Sequence, residues 1–204
     1  MKREDVLAIK KAIMSDLERT GTLRVGIYGG PASGKSTTRA EAFAILKREN
    51  TEIEEVTEVA KDYVWEKAIG KLEFQPLMMA KQMWRERRLE GQVDALITDT
   101  STLLSLVYGT EEHGVTPEFR AWIIAEYRAA NRLDFFIDRN PNIPYSAAGR
   151  NQASLYEAEK HDDAIIRILD EVGMPYRRLP LDGFTAREIA ADVKHTLALM
   201  GAFD

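Results

Sequence analysis

Apolar residues recur at helical spacing near the start of the chain. Val6, Leu7, Ile9, Ile13 and Leu17 predict an amphipathic helix over residues 3–19, within the first 20 positions and ended near Gly21. Leu23 to Tyr28 is a short apolar run before a glycine cluster and predicts a strand. Residues 35–47 follow as a helix, with Ala40, Ala42, Phe43 and Leu46 on or near one face. Ile53 to Val59 alternates weakly and predicts a second strand. Residues 60–90 are helical in pattern, interrupted near Gly70 and Pro76. Ala95 to Asp99 predicts a third strand, apolar and ended by an acid; residues 117–131 predict a long helix, and Leu133 to Asp138 a fourth strand. Residues 139–152 hold proline and glycine and predict a lid loop. A helix over 155–172, a strand over 176–179 and a closing helix over 185–200 complete the pattern.

Strands that alternate with helices imply crossover connections and a sheet covered on both faces. The expectation is an α/β fold with a mainly parallel five-stranded sheet, formed by one domain over residues 1–204. Ligands bind such sheets beyond the carboxyl ends of the strands. Chemistry is therefore expected after Tyr28, Val59, Asp99 and Asp138.

The first of these places carries the strongest motif. Gly29-Gly30-Pro31-Ala32-Ser33-Gly34-Lys35-Ser36 fits the pattern G-x-x-x-x-G-K-[S/T], followed by Thr37. Glycines permit backbone angles that turn N–H groups inward around a phosphate. The following helix adds the positive end of its dipole. Lys35 supplies a cation to the β- and γ-phosphates of ATP, and Ser36 a hydroxyl to Mg2+. The motif predicts a P-loop NTPase or kinase fold that binds a nucleotide, and it does not by itself define a reaction.

Other residues refine the chemistry. Asp99 ends the third strand, where a carboxylate can hold Mg2+ opposite Ser36; the plainer alternative is an acid that caps Thr100-Ser101-Thr102. Glu58 could orient or deprotonate an acceptor hydroxyl, or simply begin a helix. Lys61 and Asp62 are weaker candidates beside it. Arg150, behind Gly149 in the lid loop, competes with Arg139 for the γ-phosphate, against the alternative of a surface arginine that steadies a loop. Gln82, Arg85 and Arg88 could line an acceptor pocket or a nucleic-acid backbone; the plainer alternative is that Arg85, Arg87 and Arg88 form a solvated face. His113, His161 and His195 lack metal-ligand spacing and are assigned no chemistry.

Composition narrows the classes further. With 45% hydrophobic and 30% charged residues the 204-residue chain is ordinary for a folded domain. It has no cysteine, which excludes disulfides, thiolate metal sites and cysteine nucleophiles and suits a reducing cytoplasm. The net charge of -5 argues against general coating of polyanions but leaves room for a local basic groove. No apolar run approaches the roughly 20 residues of a membrane helix, so no membrane partner is expected. A switch GTPase would usually carry an N-K-x-D motif, which is absent; a motor ATPase would need a second helical domain, for which the chain leaves little room.

The loop Gly29 to Ser36, the segment Glu58-Val59-Ala60-Lys61, the strand end Thr98-Asp99-Thr100 and the pair Gly149-Arg150 together carry a resemblance. The chain resembles the small P-loop kinase-like proteins related to the ribosylnicotinamide kinase domain, a group common in bacteriophages. The resemblance spans about residues 22–180. It departs from ribosylnicotinamide kinases at Ala147 and Ala148, where those proteins tend to carry acids. The form Pro-Tyr-x-x-x-Gly-Arg-x-Gln looks more like phage enzymes linked to modified nucleotides, one activity being phosphorylation of 5-hydroxymethyluracil in DNA. The resemblance thus implies a Mg-ATP-dependent kinase acting in the (host) cytoplasm. Its catalytic set would be Lys35, Glu58, Asp99 and Arg150. Its acceptor would be DNA carrying a modified pyrimidine or, alternatively, a small nucleoside or nucleotide. A regulatory P-loop NTPase is the remaining alternative.

Overall fold

The computed structural model describes residues 21–145 and 154–201. Five strands form one sheet: β1 (Leu23–Tyr28), β2 (Ile53–Val56), β3 (Ala95–Thr98), β4 (Arg132–Asp138) and β5 (Tyr176–Pro180). Their order is β2-β3-β1-β4-β5, and every neighbouring pair is parallel. The helices are α1 (Lys35–Arg48), α2 (Val59–Trp65), α3 (Gln75–Arg87), α4 (Ser105–Tyr108), α5 (Pro117–Ala129), α6 (Leu155–Val172) and α7 (Thr185–Leu199). Short 3-10 turns lie at Ile69–Glu73, Thr102–Leu104 and Glu111–His113. The expected leader helix over 3–19 and Arg150 fall outside the described residues.

Period-two alternation explains the two layers. Leu23, Val25 and Ile27 of β1 face one side, where they pack with Leu46 of α1 and Ile189, Val193 and Leu197 of α7. Tyr28 of β1 and Phe136 of β4 face the other side, against Met79 of α3, Ile123 of α5 and Ile165 of α6. Helix ends follow local chemistry. The Thr116 hydroxyl accepts from the Phe119 N–H ahead of Pro117, the Ser154 hydroxyl accepts from the Glu157 N–H, and α6 stops at Gly173 with φ 68°.

One expectation is corrected. The second strand ends at Val56, not Val59, and Val59 opens α2. Val59 and Tyr63, one helical turn apart, bury against Met78 of α3, and that contact outweighs the weak alternation. The apolar run Leu103 to Val107 lies in a 3-10 turn and a one-turn helix, started where the Ser101 hydroxyl accepts from the Leu103 N–H at 3.3 Å. Among the described residues no helix is long and apolar enough to cross a membrane.

Candidate nucleotide-binding site

The sheet order puts three functional segments side by side. The loop Gly29 to Ser36 leaves central β1. Asp99 follows β3 on one side, and Arg139 follows β4 on the other. Gly34 adopts φ 88°, a left-handed conformation that favours glycine, while the nearest atoms to a Cβ there would be the movable methyl groups of Leu181. The first turn of α1 carries no acidic side chain, so nothing on the helix itself neutralises its positive end.

Lys35 Nζ donates to the Gly30 carbonyl at 2.8 Å. Burial pulls its ammonium down to about 8, against Asp99, Glu58 and Asp162, which favour the charge, while Arg139 adds to the depression. These five side chains thus share one field. Ser36 Oγ donates directly to Asp99 Oδ2. Arg39, one turn further along α1, holds Nε 3.5 Å from Asp99 Oδ1 and Nη1 3.1 Å from Glu55. Ser36 and Thr37 are exposed, whereas Asp99 is buried.

Glu58 stands at the start of α2, partly buried, with Lys61 Nζ 3.6 Å from Oε2. Tyr108, at the end of α4, faces both Glu58 and Asp162. Burial, reinforced by those two carboxylates, pushes its phenol up to about 12. The His161 ring lies 5.4 Å from the Tyr108 ring, and burial lowers its pKa. Asp162 and His161, on α6, together with Tyr108 and Arg39, are site residues that sequence reading missed. The one available signal was Arg39 at i+3 from Ser36.

Other expected residues turn inward or pair off. Gln82 is buried, and its side-chain oxygen accepts from the Val59 N–H at 3.3 Å. Arg85 bonds the Thr57 carbonyl at 3.0 Å and pairs with Asp62. Arg88 lies over the exposed Trp84 ring. Gln82 and Arg85 therefore fasten α3 to the start of α2 rather than line a pocket, and Asp62 is spent in that contact. A hollow of 640 Å³ between α1 and α7, lined by Ile45, Arg48 and Lys194 among others, contains none of the site residues.

The donor set fits Mg2+. Ser36 and Asp99 offer hard oxygens that already meet, and among the described residues no cluster of three or more metal-ligating side chains competes with them. Magnesium characteristically keeps waters and phosphate oxygens and takes only one or two protein ligands.

The parallel sheet, the loop after its central strand and the acid after β3 define an α/β P-loop NTPase fold and a nucleotide-binding protein. The chain belongs to the AAA domain family, whose model matches residues 24–187. No curated protein matches the sequence. Among solved structures it is similar to APE1195, with 17% identity over 90% of this chain and 97% of that one at a TM-score of 0.41. It is also similar to shikimate kinase from Bacteroides thetaiotaomicron, with 13% identity over 87% of this chain and 99% of that one at a TM-score of 0.41.

Proposed function

We propose that the protein is a Mg-ATP-dependent kinase that phosphorylates a hydroxyl of a nucleic-acid constituent, with 5-hydroxymethyluracil in DNA as the leading acceptor. The observation that carries the kinase reading is the convergence of Lys35, Arg139 and the Ser36–Asp99 pair on one phosphate loop, with Glu58 beside them. The acceptor rests on the resemblance of the Ile143-to-Gln152 segment to phage enzymes of modified nucleotides.

Ser36 and Asp99 would hold Mg2+, which when bound neutralises charge on the β- and γ-phosphates. Loop N–H groups and the α1 dipole fix the phosphate chain. Lys35 and Arg139 counter the charge that spreads over the γ-oxygens as the bond from phosphorus to the β-bridging oxygen breaks. The acceptor oxygen forms the new bond to phosphorus and ADP leaves. Glu58 orients the acceptor hydroxyl and takes its proton. Tyr108 closes the wall between Glu58 and Asp162.

The test is transfer of label from γ-labelled ATP to a panel: nicotinamide riboside, deoxynucleosides, deoxynucleoside monophosphates, and DNA with and without 5-hydroxymethyluracil. Label on the modified DNA alone is the expected result. Label on a small acceptor would move the assignment to a nucleoside or nucleotide kinase. Release of free phosphate without a labelled acceptor would favour a regulatory NTPase.

A further inference from the structure

Arg139 does not lie loose at the end of β4. Its Nε donates to Asp162 Oδ2, and its Nη2 reaches the Ala158 carbonyl at 3.3 Å, so α6 holds the guanidinium from one side. The other carboxylate oxygen of Asp162 accepts the Gly30 N–H of the phosphate loop. One carboxylate therefore ties α6, β4 and the loop together. The approach is so close that a Cβ on Gly30 would stand 2.6 Å from Asp162 Oδ1 and 2.8 Å from Arg139 Nη2. Arg139 and Asp162 side chains are only 16% and 13% exposed. Arg139 Nη1 has no hydrogen-bond partner among the described residues.

A carboxylate beside a phosphate site would ordinarily repel its ligand. Here both oxygens are occupied, one by a guanidinium and one by a backbone N–H, and among the described residues Arg139 Nη1 is left to face a ligand. We propose that Asp162 is a positioning residue: it fixes Arg139 on the loop as a sensor of the γ-phosphate, so that the site distinguishes a nucleoside triphosphate from a diphosphate. This rests on the nucleotide reading of the loop but not on the identity of any acceptor. The β-phosphate is served by loop N–H groups and Lys35, so a diphosphate is expected to bind without the sensor. Only the terminal phosphate needs the second cation.

The experiment is calorimetric binding of Mg-ADP and of the non-hydrolysable Mg-β,γ-imido-ATP to the full chain and to Asp162→Asn, Arg139→Ala and the double variant. Asparagine can still accept the Gly30 N–H but no longer offers the arginine a charge. The expected result is a triphosphate-to-diphosphate affinity ratio roughly tenfold lower in each single variant, in line with loss of one charge-assisted contact. Mg-ADP affinity should stay within about threefold, and the double variant should fall no further than Arg139→Ala, because the two residues act as one unit. An unchanged ratio in Asp162→Asn, equal loss for both nucleotides, or losses that multiply in the double variant would overturn the proposal. Thermal unfolding checks the fold of each variant, and Asp162→Ser with the same expectations replaces an asparagine variant that does not fold. A wild-type chain that binds neither nucleotide would overturn the loop reading itself, and the sensor with it.

Discussion

Lys35 shows how a single residue couples folding to ligand. Burial holds its ammonium near 8 in the free protein, so above that pH the loop loses the cation it offers to phosphate. Mg-ADP affinity should therefore decline as pH rises from about 8 to 9.5, and binding near pH 8 should take up a proton. Calorimetry in buffers of different ionisation enthalpy reads both, and Lys35→Arg should flatten the pH profile because a guanidinium does not titrate there. The stability effect has the opposite sign. Between about 8 and the ordinary lysine value the unfolded chain binds more protons than the folded one, so this group alone makes the fold more stable as pH rises. Lys35, Ser36 and Asp99 were legible because a short motif and a strand end specify them locally. Asp162, Tyr108 and His161 were not, because only the packing of α4 and α6 brings them to the loop.

At the level of elements, β1, β4 and α5 share a buried polar network under the phosphate loop. Tyr127 donates to Asp134 Oδ2 at 2.6 Å, Tyr28 donates to Tyr127 at 3.0 Å, and Arg132 bonds both Asp134 oxygens at 3.1 and 2.9 Å. The Arg132 and Asp134 side chains are 3% and 1% exposed. Burial, with Asp134 and Tyr127 adding to it, pushes the Tyr28 phenol well above its ordinary value, so it stays a neutral donor. Asp134→Asn should leave the arginine charge uncompensated and cost about 3–5 kcal/mol. Tyr127→Phe should cost about 1–2 kcal/mol. Urea unfolding with an unchanged m-value would show both as shifts in midpoint. The strand Leu133 to Asp138 was readable from its apolar run, but its inward acid was not, since the network that satisfies it joins Tyr28 to Tyr127 and Arg132 across 99 and 104 residues and Asp134 to Tyr127 across the junction of α5 and β4. The end of β2 was misplaced for a related reason: the burial of Val59 and Tyr63 depends on Met78, outside any local window.

Across the whole molecule, the alternation of strands and helices made the parallel five-stranded sheet legible, but not its order. Order depends on which strands bury which faces, and period-two patterning alone does not encode neighbours. Net charge acts at this scale too. With -5 overall, a DNA acceptor has to be held by local cations that displace counterions, so raising salt from 50 to 200 mM should weaken a DNA acceptor steeply in labelled-transfer assays. A flat response would assign a small acceptor.

The central place of β1 has a further consequence in time. The strand that launches the phosphate loop is made first, yet its two partners are β3 and β4, the latter ending at Asp138. A nascent chain therefore carries its complete loop motif long before the ribosome has delivered the strands that fix it, and non-local parallel pairing is slow to form. Until β3 is made β1 presents two unpaired edges, and until β4 is made it presents one. The loop, Asp99 and Arg139 stand together only once the chain has been made past β4.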